Sequence, residues 1–120
     1  MEDIKIIDNY MDEREFRNYI IPFLEQEGFS LIKIDDTRIN DLDHYNNNDL
    51  MVKKEDRRYA VRALANYEIT NAEVEETVSY MDKEKFERGI ILTNTEVDDK
   101  VKEYAKEKCI TIYDRKYFIK

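Results

Sequence analysis

The run Asp49-Leu50-Met51-Val52-Lys53-Lys54, Glu55-Asp56-Arg57-Arg58, Tyr59-Ala60-Val61-Arg62-Ala63-Leu64-Ala65 reads as two β-strands joined by a charged turn. Side chains two apart on a strand share a face, so Arg62 and Leu64 point the same way on the second strand, and Lys53 shares the face of Asp49 on the first. Upstream, Phe29 to Ile34 alternates as a short strand should. Before it, Phe16, Tyr19, Ile20, Phe23 and Leu24 fall three and four apart, which predicts a helix with one apolar face. Asp12 and Glu15 form a capping box at its start, and Gly28 supplies its stop. Pro22 inside the helix deletes a hydrogen bond, so a kink is expected there.

Downstream, Thr70 and Glu73 form a second capping box, opening a helix whose inner face carries Val74, Thr77, Val78 and Met81. Gly89-Ile90-Ile91-Leu92 is a continuous apolar run suited to a strand covered on both faces. Thr95 is expected to cap a third helix, with Val97, Val101, Tyr104 and Ala105 inward. Ile110 to Tyr113 follows as a last strand, and Asp114 to Lys120 as a closing turn or helix. Glu2 to Ile7 reads as a short strand, and residues 1–11 as an N-terminal arm. Asp35 to Asn48 is a polar loop of about fourteen residues, long enough to suggest a functional or mobile segment. The order α-β-β-β-α-β-α-β implies a mixed central sheet flanked by helices, an α/β fold in one domain over residues 1–120.

Composition narrows the function. Only 2 Gly occur in 120 residues, which disfavours a glycine-rich phosphate cradle, and the single Cys109 cannot form an internal disulfide. No apolar run approaches the ~20 residues that would span a membrane, and the acidic Met1-Glu2-Asp3 start does not resemble a signal peptide. The expectation is a soluble, cytoplasmic protein without membrane attachment. Net charge is −8, a poor starting point for a general nucleic-acid binder, because such binding comes mostly from neutralising phosphates. The charge is unevenly spread, however: residues 1–50 carry 5 basic and 13 acidic groups, whereas residues 51–66 carry 5 and 2.

Two further candidates are weak. Asp41, Asp43 and the lone His44 offer metal-ligand types close together, but nothing in the pattern fixes their geometry, and a solvated loop explains them better. Cys109 has no histidine base nearby in the pattern and reads as a buried structural thiol. The scattered tyrosines fit core packing better than base stacking.

The hairpin carries the more specific signal. Metal-dependent nucleases commonly set an Asp at the start of one strand, and an acidic or amide residue and a Lys two apart on the next, so that carboxylates hold Mg²⁺ while the Lys activates water. On these residues the chain resembles the Mrr-like branch of the restriction-endonuclease-like, PD-(D/E)xK nucleases, from about Asp12 to Phe118. Supporting matches are Phe16-Arg17 and the Gly28-Phe29 stop of the first helix, the run Gly89-Ile90-Ile91-Leu92-Thr93-Asn94, and the final Ile110-Thr111-Ile112-Tyr113-Asp114. The resemblance places the family's metal-binding Asp on Asp49, its helical Glu on Arg17, its Gln/Glu on Arg62 and its Lys on Leu64. Only Asp49 keeps the expected chemistry. A guanidinium is always charged and repels Mg²⁺, so no intact catalytic set and no bound metal or other cofactor is expected, Mg²⁺ entering only if the chain were an active endonuclease after all.

The resulting expectation is a catalytically degenerate domain that binds or associates with DNA through Lys53, Lys54, Arg57 and Arg58. The alternative is a protein-interaction subunit whose acidic surface meets a basic partner. A homodimer through an edge strand is compatible with either. If the alignment is right, Asp49 should also be partly buried and paired with Arg62, Arg17 or both.

Overall fold

The computed structural model describes residues 13–33 and 50–118. Helix α1 (Glu13–Gln26) leads into a five-stranded sheet of β1 (Ser30–Lys33), β2 (Leu50–Lys54), β3 (Arg57–Ala63), β4 (Arg88–Leu92) and β5 (Ile110–Tyr113). Helix α2 (Asn71–Glu84) connects β3 to β4, α3 (Asp99–Glu107) connects β4 to β5, and a single turn of helix, α4 (Arg115–Phe118), closes the chain. The strands lie side by side in chain order; β1–β2 and β2–β3 pair antiparallel, β3–β4 and β4–β5 parallel. The expected α/β architecture is therefore present, and α4 is the closing turn of helix expected after Asp114.

Two apolar layers hold the sheet. On one face Phe16, Ile20 and Leu24 of α1 bury against Leu31, Val52, Val61, Ile90 and Leu92, with Phe118 of α4 completing the layer. Phe23 meets Tyr113, Tyr117 and Phe118 edge-on at 5.3, 5.7 and 4.8 Å between ring centroids. These aromatic residues serve packing, as their spacing suggested. On the other face Val74 and Met81 of α2 and Ala105 of α3 cover Met51, Ala60, Ile91 and Ile110. Gly89 permits the close approach of α2: a Cβ there would lie 2.9 Å from the Met81 sulfur and 3.2 Å from a Thr77 methyl.

Local chemistry sets the ends of the elements. After α1, Gly28 adopts φ +94°, and the Gly28 and Phe29 N–H groups donate to the carbonyls of Glu25 and Leu24 at 3.0 and 2.9 Å, the paired bonds of a left-handed helix stop. Pro22 lies within α1 as expected. At α2 the Thr70–Glu73 box forms in both directions, the Thr70 N–H donating to Glu73 Oε1 at 2.6 Å and the Ala72 N–H to Thr70 Oγ1 at 3.2 Å.

Four details differ from the sequence reading. The hairpin turn is two residues long, not four: Glu55 and Asp56 both take left-handed conformations, with φ 54° and 68°, so Arg57 and Arg58 belong to β3. Such a turn matches the twist of its strands but usually carries Asn or Gly, which is why the sequence did not reveal it. At its other end β3 stops at Ala63 rather than Ala65, after its last pairing with Leu92 of β4. The third helix starts later than expected, capped by Asp98, whose carboxylate accepts from the Lys100 N–H at 2.8 Å; Thr95 is committed elsewhere, its hydroxyl donating to the Tyr67 carbonyl at 2.7 Å. Cys109 is exposed rather than buried, in a left-handed turn with φ 63°. The N-terminal strand and arm, the Asp12 cap, the Asp35–Asn48 loop with Asp41, Asp43 and His44, and Asp49 lie outside the described residues.

Candidate functional site

Among the described residues, Arg62 and Leu64 lie at one end of the sheet and Lys53, Lys54, Arg57 and Arg58 at the other. At the end where β3 and β4 finish, Arg62 is half-buried on the face covered by α2. With Glu76, Ser79, Tyr80, Lys83 and Glu84 it lines an open cleft of about 320 Å³ beside that helix. Burial pushes the Glu73 carboxyl upward, but hydrogen bonds from Thr70 and its own N–H, aided by the Arg62 charge, outweigh it and hold it below the usual carboxylate range. Arg62 thus contributes to an internal balance of charge.

Leu64, one residue past the end of β3, is 3% exposed and packs in the α2-side core with Ile32, Met51 and Val74. Its N–H donates to the Leu92 carbonyl at 2.8 Å. Arg17 lies on α1, but its side chain is outside the described atoms, as is Asp49. The expected Asp49–Arg pairing therefore also falls outside the described residues. Among the described residues, no three His, Cys, Asp or Glu side chains are arranged to hold a metal ion.

Sequence reasoning missed two polar ties at this end. Asn66 turns the chain with φ 64°; its N–H donates to Asn94 Oδ1 at 2.7 Å, and Asn94 Nδ2 donates back to Asn66 Oδ1 at 3.0 Å. The pair fastens the exit of β3 to the exit of β4. Asp114, 1% exposed, accepts from the Val97 N–H at 2.9 Å and pairs with Lys102 at 2.9 Å, fastening the exit of β5 to the entry of α3. An Asn where the backbone must turn left-handed was the one available signal.

At the opposite end, the register pairs Lys53 with Arg58 and Lys54 with Arg57. Strand alternation then divides the four cations between the two faces of the hairpin. On the α1 side, the Lys54 ammonium sits 5.0 Å from the centroid of the Phe29 ring. On the α2 side, the Arg58 guanidinium carbon lies 4.8 Å from the centroid of Phe86, with Nε 3.1 Å from the Met51 sulfur. Cations over aromatic faces gain about 0.5–1 kcal/mol each at exposed sites, so these contacts pre-position the charged heads. Arg57 and Arg58 are exposed, Lys53 and Lys54 half-buried. The 7 residues of β3 separate this tip from Leu64 by roughly 20 Å at ~3.3 Å per residue.

A mixed sheet whose β2–β3 hairpin leads into two parallel strand–helix units, with helices on both faces, is the framework of a restriction-endonuclease-like domain. The restriction endonuclease family model Mrr_cat matches residues 8–120, nearly the whole chain, and the protein belongs to that family. A search of the curated proteins found no match. No helix among the described residues is long and apolar enough to cross a membrane.

Proposed function

We propose that this chain is a restriction-endonuclease-like domain that does not hydrolyse DNA and instead acts as a DNA-associated binding module, contacting phosphates through Lys53, Lys54, Arg57 and Arg58. The observation that carries the first half is the burial of Leu64 where the resemblance expects the lysine that activates water. An apolar side chain 3% exposed and packed among Ile32, Met51 and Val74 can neither orient a water molecule nor polarise a phosphoryl oxygen. Arg62, where a carboxylate or amide ligand is expected, brings a permanent positive charge. These two residues do not fit a divalent cation.

The second half rests on electrostatics. Cations on both faces of one narrow hairpin, two of them laid over aromatic rings, suit a groove walled by phosphates on either side. The competing reading, a protein-interaction subunit of cytoplasmic location, draws on the net charge of −8 and the exposed Tyr67, 51% accessible. One experiment separates the readings: electrophoretic mobility shift with duplex and branched DNA across a salt series, with Mg²⁺ or Mn²⁺ present. Retardation without cleavage supports the proposal. Cleavage abolished by Asp49→Ala in a folded variant overturns the loss of activity, and no retardation at low salt overturns the DNA half in favour of a protein partner.

A further inference from the structure

Parallel pairing aligns the starts of β3, β4 and β5, with Tyr59 opposite Arg88 and Gly89 opposite Ile110. Arg88 and Lys106, near the end of α3, therefore share one shallow recess with Tyr59 and Cys109. Helix α2 runs back to the same end, where its cap residue Lys85, with φ 62°, comes beside Arg57 and Arg58. Lys85, Arg88 and Lys106 are all exposed. The basic segment visible in the sequence thus becomes a broader rim, built from the hairpin and the ends of both connecting helices. Glu55, Asp56, Glu84, Glu87 and Glu107 are interspersed, so the rim is a set of separate cation positions rather than a uniform patch.

Resting on the DNA reading above, we propose that this rim, at the opposite end of the sheet from Arg62 and Leu64, is the surface that grips the duplex backbone, with Lys85, Arg88 and Lys106 extending the contacts of Arg57 and Arg58. Charge complementarity favours this end. Glu73 in the first turn of α2, and the Asp98 cap and Asp99 at the start of α3, lie towards the other end, with Glu75 and Glu76 one turn further along α2. Roughly 20 Å separates the two ends along β3, and the Debye length is only ~8–10 Å at physiological salt. A phosphate chain on the rim is therefore screened from most of the acidic end, whereas one laid against Arg62 would meet it directly.

The chain supplies its own reporter, because Cys109 is the only cysteine and is exposed within the rim. The test uses the full chain and a short DNA duplex. Affinity is read by fluorescence anisotropy across a salt series, for the parent and for Lys85→Gln/Arg88→Gln/Lys106→Gln. The rate of maleimide addition to Cys109 is read with and without saturating duplex. The triple variant is expected to lose roughly tenfold in affinity at about 0.1 M salt, and ~0.9 in log–log slope, for each phosphate contact removed. Duplex should slow Cys109 alkylation in the parent. A control pair at the far end, Lys100→Gln/Lys116→Gln, should leave the slope unchanged.

Binding by the parent with an unaltered slope in the triple variant and unprotected Cys109 overturns the rim while leaving the DNA reading standing. No binding by the parent overturns both. Preference for single-stranded RNA over the duplex overturns the choice of partner.

Discussion

Where β3, β4 and β5 finish, the buried side chains of Asn94 and Asp114 are tied to neighbouring groups; where they begin, Lys54 and Arg58 lie over aromatic rings and most of the charged side chains are exposed. Asn66 and Asn94 bond reciprocally, Asp114 is closed off by Val97 and Lys102, and Leu64 is packed away. At the other end Arg57, Arg58, Lys85 and Arg88 are exposed. In α/β sheets ligands usually meet the carboxyl ends of the strands, and in this chain Asn66, Asn94 and Asp114 at that end find their partners within the fold, although one buried Arg115 guanidinium nitrogen has none. On the proposed function, the strands' customary working end would serve stability while the opposite end presents exposed charges.

The largest expected effect tests whether the finished end is structural. Leu64→Lys restores the residue type that the family resemblance expects, yet it should destabilise the protein by at least the ~2–5 kcal/mol typical of Leu→Ala in a core, because the ammonium enters an apolar layer. Urea unfolding measures it; a change below ~1 kcal/mol would mean that the position is open to solvent after all. Next, Asp114→Asn should cost about 1.5–3 kcal/mol, the range for a hydrogen bond to a charged group, again by urea midpoint. Gly89→Ala should cost ~1–3 kcal/mol by overpacking, since the added Cβ meets the Met81 sulfur at 2.9 Å.

The Thr70–Glu73 box gives a pH-dependent effect of smaller size. Thr70→Ala should cost about 1 kcal/mol at neutral pH. Because the Glu73 carboxyl is held below its ordinary value of 4.5, its contribution is present above that value and is lost as pH falls through the depressed one. The stability difference between parent and Glu73→Gln should therefore shrink on acidification; a difference constant down to low pH would contradict the assigned charge balance. The smallest effect lies at the opposite end. Glu55→Asn with Asp56→Gly relieves two left-handed residues, which cost roughly 1–2 kcal/mol each in the limit. It should stabilise modestly and, by removing two carboxylates from the rim, tighten duplex binding.

What was legible in the sequence was what is decided locally. The Gly28 stop, the Thr70–Glu73 cap and the Ile90–Leu92 strand depend on residues within a turn or two of one another, and each stands where the sequence reading set it. The hairpin turn escaped because Glu55 and Asp56 are held left-handed by strand pairing rather than by their own preference. The α3 start escaped because Thr95 was captured by Tyr67, a contact 28 residues away in the chain. For the site, Arg62 and Leu64 could be named from the family resemblance, with strand parity putting them on one face, but their burial and the Asn66–Asn94 tie depend on packing. The rim was only partly visible: its hairpin half is contiguous in sequence, while Lys85, Arg88 and Lys106 join it only through the parallel register of β3, β4 and β5.

The most direct test of the contrast between the ends is a two-dimensional amide NMR titration of the ¹⁵N-labelled chain with a short DNA duplex at physiological salt. Shift changes are expected to concentrate at Arg57, Arg58, Lys85 and Arg88, with Asn66, Tyr67, Thr95 and Glu96 unmoved. Changes centred instead on Arg62, Leu64, Asn66 and Asn94 would contradict it, placing the duplex at the end this account assigns to stability.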